Sequence, residues 1–465
     1  MFVGSAAIAG AIVGIAALYL TGLTRMGMYS TDEPRYAAIG RAMAQSGDWI
    51  TPRLWGDPWF EKPALLYWMT ASGFRLGLSP DLAPRLPVAL LSVAFLACFW
   101  LRLRRVFDAR IAAFATLMLA TTGGWLAYSH VAVMDVPLSA FFSMAVLFSL
   151  RSSENSVEPN RVVAAILLAL AVLTKSLPPL ILFLPVLVLD LNNWRRWFLS
   201  WPIAAFLAVV LPWHLAGIMR NGWQFFYVLF IEQQFGRFFN SSRQHVQPWW
   251  FYGPVFLLLL FPWFPLLALG ARSIKESENT RWLAAIVGFG LVFFSASINK
   301  LPGYVLPMVP ATCVLMAVGL AHATRRERWL IAPIAMLGGL PVAATILPGV
   351  VAHHAVQIPW ALAALGLTVA AAVGVSIAFW LRPRAFTIAI ALAVGGLLCL
   401  EIAIFPALDK AGSARTLWTA SHPDCAPLLA RGMPDGLSYY SEKRLPDCAI
   451  VDKNATPFTG NEQRH

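Results

Sequence analysis

Apolar residues fall in long runs along this chain, and polar residues gather at the ends of those runs rather than on a repeating face. A helix needs roughly 17 to 25 apolar residues to cross a bilayer. Runs of that kind, some short, occur at 2–24, 86–101, 111–127, 137–150, 161–174, 177–191, 198–217, 251–270, 281–297, 304–321, 329–350, 360–380 and 386–404. They predict about thirteen transmembrane helices, several of them tilted or half-buried. The stretch 25–85 is too long for a connector and carries helix signals of its own. Asp32 stands where an N-cap would, Pro34 follows in the first turn, and Tyr36, Ile39 and Met43 recur at helical spacing up to Gly47. After Pro63, the run LLYWMTASGF suits a helix lying in the membrane interface. Loop 218–250 is rich in aromatics and reads as a second interfacial element, whereas residues 405–465 turn polar, with a candidate strand at GLSYYS.

The predicted fold class is therefore an all-α polytopic membrane protein with juxtamembrane helices on the outer face of the bilayer. A membrane domain, 1–404, would include loops 25–85 and 218–250, and a small C-terminal α/β domain would occupy 405–465. Composition agrees: 58% of the 465 residues are hydrophobic and 12% charged, against about 25% charged in soluble domains. The first run lacks a basic segment before it and is read as a retained helix rather than a signal peptide. Neither a repeat nor a low-complexity block is visible, which weighs against transporters built from internal repeats.

Lys and Arg collect on the cytoplasmic side of short loops. Alternate loops carry Arg102, Arg104, Arg105 and Arg110; Arg151 and Arg161; Arg195 and Arg196; Arg272, Lys275 and Arg281; Arg325, Arg326 and Arg328; and Arg382 and Arg384. That pattern puts 25–85, 218–250 and the tail outside. Topology absorbs much of the net charge of +12, and no basic groove with interleaved aromatics points to nucleic acid. Cys98, Cys313 and Cys399 fall within spans and read as small apolar residues, while Cys425 and Cys448 fall in the external tail, where a disulfide is permitted.

Charge beside hydrocarbon is costly and marks candidate function. Several of the charges that remain sit in short motifs: TDEPRY at 31–36, FEKP at 60–63, MDVP at 134–137, LTKS at 173–176 and NKLPGY at 299–304. All five fall on the outer face by the loop assignment. Together with Arg237 of loop 218–250, they offer the carboxylates Asp32, Glu33, Glu61 and Asp135, the cations Lys62, Lys175 and Lys300, and Tyr304. Carboxylates beside fixed cations at headgroup level suit an anionic, lipid-linked substrate whose phosphate departs as charge builds on it. Plainer readings stand beside this one. Asp32 and Asp135 would only begin helices, Glu61 and Lys62 would pair with each other, and Lys175 and Arg237 would anchor to headgroups. Lys300 would report loop charge, and Tyr304 would belong to the interfacial aromatic belt.

The run TDEPRYAAIGRAMAQSGDWITPRLWGDPWFEKPALLYWM, followed in order by APRLPVAL, MDVPL, LTKSLPPL, QQFGRF and NKLPGYVLPMVPA, resembles the protein-mannosyltransferase-like glycosyltransferases of the GT-C type. That group includes the bacterial aminoarabinose transferases of lipid A. The resemblance extends from about 30 to 321 and fades over the tail. It implies transfer of a sugar from a polyprenyl (undecaprenyl) phosphate to an envelope acceptor such as lipid A. Transfer would occur on the periplasmic face of the bacterial inner membrane, with inversion. By the same likeness, Asp32 and Asp135 lie near acceptor and sugar, Lys62, Arg237 and Tyr304 hold the lipid phosphate, and Lys175 flanks the cavity.

Glu33 and Lys300 join these sets as a third carboxylate and a further cation. The one cofactor candidate is a divalent cation, for which Glu61 and Glu232 would supply oxygen ligands, although the family's histidine is absent from IEQQFGRF. Ser176 stands where the family commonly has glycine, a change expected to alter local packing only. Expected partners are the lipid-linked sugar, the acceptor and the bilayer, with no nucleic acid. A flippase for lipid-linked sugar and a protein O-mannosyltransferase are the alternatives.

Overall fold

A computed structural model of the protein describes residues 5–28, 30–151, 157–236, 245–353, 373–374, 385–427 and 432–448. The described chain is overwhelmingly helical; its only sheet is the two-stranded antiparallel pair Arg53–Leu54 and Asp57–Pro58. The first nine helices are α1 (Ser5–Leu20), α2 (Asp32–Ser46), α3 (Leu65–Arg75), α4 (Leu82–Val106), α5 (Ala109–Ala120), α6 (Gly123–Ser129), α7 (Asp135–Ser149), α8 (Val157–Lys175) and α9 (Pro178–Leu189).

Apolar length alone makes this a multi-pass membrane protein. Five described helices are long and apolar enough to cross a bilayer, and seven if each of two bent pairs counts as one span. The bends correct the picture of straight runs. Run 111–127 is α5 plus α6, bent by 58°, and run 251–270 is two segments bent by 110°. Run 329–350 divides into Arg326–Gly338 and Leu340–His353. Apart from residues 373 and 374, the run at 360–380 lies outside the described residues. At the centre stands Pro302–His322, most of it buried inside the bundle.

Two further expectations give way. The segment after 217 continues as helix through Phe226 and then as a π-helix, Tyr227–Gly236, with a kink where Gly222 takes φ 68°. Trp223, Trp249 and Trp250 are nonetheless exposed, as interfacial aromatics should be. GLSYYS is not a strand but lies at the end of a helix, Met433–Tyr440. Pro434 is pre-set for a first helical turn, and Met433, Gly436, Leu437 and Tyr440 recur at helical rather than alternating spacing. The boundary expected at 404 falls inside the long helix Ala385–Gly412. In the tail, Cys425 and Cys448 form a disulfide.

Residues 21–28, between α1 and α2, have no regular structure, so their backbone groups need side-chain partners. Arg85, near the start of α4, supplies them: its guanidinium donates to the carbonyls of Leu23 at 2.9 Å, Gly27 at 2.9 Å, and Met26. The same guanidinium holds Glu33 bidentately, at 2.7 and 2.8 Å, with both side chains essentially sealed from solvent. Glu33 Oε1 also accepts from the amide of Ala132 at 3.0 Å. Breaking a buried pair leaves an uncompensated charge, at a cost of about 3–5 kcal/mol. Arg85→Ala should therefore lower the thermal midpoint of the purified protein sharply. A midpoint within about 2 °C of the wild type would show that Glu33 finds other compensation.

Candidate active site

The charged motifs meet at helix ends. Asp32 is the first residue of α2, preceded by Thr31, so it is not the N-cap; Asp135 opens α7, and Lys175 closes α8. Lys175 Nζ donates to Asp135 Oδ1 at 2.8 Å and stands 4.7 Å from the centre of the Tyr304 ring. Both members of the ion pair keep a little exposure, 15% each. Asp32 lies close enough to exert a Coulombic pull on Lys175, which joins the TDEPRY motif to the Asp135 pair. Tyr304 belongs to the short turn Pro302–Met308, which packs directly on Asp135. A Cβ on Gly303 would sit 2.6 Å from Asp135 Cγ, so only glycine permits this approach.

Around Asp32, Arg35 Nη2 donates to the carboxylate at 2.6 Å, and Arg35 lies over the Trp59 ring at 5.8 Å. Burial opposes the Arg35 charge, but Asp32, Asp435 and Glu61 together outweigh it and hold its pKa above the ordinary value. Burial, with Asp32 and Glu61, pushes the Tyr36 phenol well above its usual range, so it stays protonated at neutral pH. Glu61 and Lys62 are nearly buried, and the ammonium lies 3.1 Å from Glu61 Oε1.

Three expectations change here. Glu33, expected among the catalytic carboxylates, has no exposed surface and is committed to Arg85 and Ala132. Lys300, expected to bind phosphate, is buried and donates to the carbonyls of Gln247 at 3.0 Å and of Ser297, just beyond the end of the helix Glu278–Ala296. It holds the strand-like contact of Val246 with Asn299 in place. Glu61 carries a lysine ammonium and Glu232 is half-buried on the π-helix. Among the described residues, no group of three or more His, Cys, Asp or Glu side chains could hold a metal. No divalent cation enters the mechanism below. Arg237 lies outside the described residues.

Sequence reading passed over Arg35, Arg85 and Asp435. Arg35 was open to detection, since it sits three residues after Asp32 on a helix, the spacing at which side chains meet. Asp435 gave no signal, being some 400 residues from its partners.

A family model described as dolichyl-phosphate-mannose-protein mannosyltransferase matches residues 61–216. An undecaprenyl phosphate-alpha-4-amino-4-deoxy-L-arabinose arabinosyl transferase from Pseudomonas aeruginosa (strain UCBPP-PA14) is 31% identical over 331 residues, 68% of this chain. The protein of the same name from Pectobacterium carotovorum subsp. carotovorum (strain PC1) is 33% identical over 370 residues, 74% of this chain. The chain belongs to the protein-mannosyltransferase-like family. Its matches span 59% and 66% of those two relatives. The fold is that of the family's GT-C architecture: the structure of ArnT from Cupriavidus metallidurans bound to undecaprenyl phosphate superposes with a TM-score of 0.76. That match covers 95% of this chain and 86% of the other at 24% identity.

Within this protein-mannosyltransferase-like chain, position 176 takes a backbone conformation that glycine adopts more readily. Ser176 adopts φ 57°, a left-handed conformation that costs a non-glycine residue about 1 kcal/mol, and its buried hydroxyl has no hydrogen-bond partner. The departure from glycine thus affects backbone strain rather than packing. Ser176→Gly should stabilise the protein by about 1 kcal/mol, visible as a raised thermal midpoint; an unchanged or lower midpoint would remove the strain account. Gly303→Ala should push Asp135 off Lys175 and lower activity on the order of 10- to 100-fold, with insertion into the membrane preserved. Full activity would show that the turn can move without consequence.

Proposed function

We propose that this protein transfers a sugar from an undecaprenyl phosphate donor to an acceptor of the bacterial envelope, lipid A being the leading candidate, at a site facing the periplasm. The observation that carries this reading is the Asp135–Lys175–Tyr304 group, with Asp32 within electrostatic range of Lys175 and the Glu61–Lys62 pair contributing its carboxylate to the surroundings of Arg35. Charges gathered at helix ends suit chemistry at a lipid headgroup. A carrier of lipid-linked sugar would instead need polar groups distributed through the bilayer. The relatives named for transfer of aminoarabinose from undecaprenyl phosphate support the same donor class.

In this reading the acceptor oxygen attacks the anomeric carbon in line as the bond from that carbon to the lipid phosphate breaks. The bonding electrons leave on the phosphate oxygen, and the configuration inverts. Lys62 and Tyr304 serve the departing phosphate, with Lys175 available through its ion pair, so that fixed positive charge meets charge as it develops; the family resemblance alone assigns Arg237 to the same role. Asp32 receives the proton of an acceptor hydroxyl. If the acceptor is already an anionic phosphate, Asp32 orients the sugar instead. Asp135, held by Lys175, braces the sugar. We infer a multi-pass inner-membrane topology of about thirteen helices and a periplasmic tail after the long helix Ala385–Gly412.

Vesicles holding purified protein, radiolabelled undecaprenyl phosphate-aminoarabinose and lipid A test this directly. Label should move to lipid A, and Asp32→Asn should reduce transfer about 10²- to 10⁴-fold while insertion persists. Label crossing the vesicle without transfer would favour a carrier, and full activity of the variant would remove Asp32 from the chemistry.

A further inference from the structure

Asp435 has no part in the mechanism above, yet the fold brings it to the same corner. It lies in the first turn of the tail helix Met433–Tyr440, and its Oδ2 stands 3.8 Å from Arg35 Nε. Arg35 is thereby placed between two carboxylates, with Asp32 at 2.6 Å on its other nitrogen and the Thr31 carbonyl at 2.8 Å. Neither carboxylate is sealed: the side chains of Asp32 and Asp435 are 36% and 31% exposed.

The helix that carries Asp435 is firmly docked. Arg41 of α2 donates to the Tyr439 carbonyl at 3.0 Å, lies over the Tyr439 ring at 4.1 Å and pairs with Glu442 at 3.1 Å. Tyr439 donates to the Pro80 carbonyl at 2.7 Å and Tyr440 to Asp81 at 2.5 Å. Gly432, with φ 88°, lies so close to Ser30 that a Cβ would sit 2.3 Å from its carbonyl oxygen. A carboxylate on so constrained a helix is presented to Arg35 by the fold.

We propose that Asp435 is a positioning residue of the transfer site, sharing Arg35 with Asp32 and so setting the direction and charge balance of the Asp32 carboxylate. The inference rests on the transferase reading and deepens it: the tail completes the site. The charged and titratable groups around the pair are Arg35 and Tyr36 from α2, Glu61 from the FEKP turn, Lys175 at the end of α8 and Asp435 from the tail. Burial raises the Asp435 pKa, Arg35 opposes the rise, and Asp32 adds to it. Two carboxylates on one guanidinium leave a net negative charge. With Asp435 neutral, Asp32 has the whole of Arg35 and loses a repulsive neighbour.

The test is the pH dependence of kcat/KM in the vesicle assay for the wild type, Asp435→Asn, Asp435→Glu and Glu442→Gln. Asp435→Asn should move the acid limb to lower pH by about 0.5–1 unit and lower the plateau roughly 3-fold, as expected of a weaker base. Asp435→Glu should restore both, and Glu442→Gln, which loosens the same helix without touching Arg35, should keep the wild-type limb. A superimposable limb for Asp435→Asn, with only reduced stability, would overturn the proposal. Failure of both Asp435→Asn and Asp435→Ser to fold would assign Asp435 to scaffolding and overturn it too. Absence of transfer by the wild type would instead refute the transferase reading.

Discussion

One buried carboxylate, Glu33, fixes the relation between the two aspartates of the site. It occupies the second position of α2, directly after Asp32, and through the amide of Ala132 it grips the turn that leads into Asp135. Arg85 neutralises it, and with its remaining donors satisfies three carbonyls of the segment before α2. A buried ion pair of this kind often contributes little net stability compared with apolar packing, but it tolerates few alternative geometries. Its value here lies in specifying where α2, α4 and the start of α7 stand relative to one another.

The exposed charges are then placed by helix ends. Asp32 and Asp135 begin α2 and α7, where the peptide dipoles present partial positive charge, and Lys175 ends α8, where they present partial negative charge. Each ionised group is offset twice, by a partner side chain and by its own helix. This explains why charges that would be costly within hydrocarbon are tolerated at the ends of apolar runs.

Helix positions were legible in the sequence wherever apolar runs were bounded by clear breaks, and the loop assignment put the charged motifs on a common face. Bends were not legible, because run length says nothing about whether a helix turns by 58° or 110° along it. Nor could residue type separate structural charges from exposed ones: Glu33 looks like its neighbour Asp32, and only burial and partners distinguish them. GLSYYS misled because two adjacent tyrosines favour strand by propensity, whereas the contacts available at the docking surface reward helical spacing. The Asp435 contact joins residues from opposite ends of the chain, and no local pattern reports such a meeting.

The tail also completes the segment that precedes Asp32. Arg85 serves that segment from one side; from the other, Asp409 accepts from the Gly27 amide at 2.7 Å, Tyr440 accepts from the Met28 amide at 2.8 Å, and Arg415 donates to the carbonyls of Thr24 and Arg25. Arg415 is in turn fixed by Asp81 and Asp409 at 2.7 and 2.8 Å. A stretch without regular structure can be held in one conformation only if its backbone groups find such partners, and here they come from residues more than 380 positions away as well as from α4. The orientation of Asp32 is thus a property of the closed chain, and a fragment ending before the tail would leave the first helix of the site attached on one side alone.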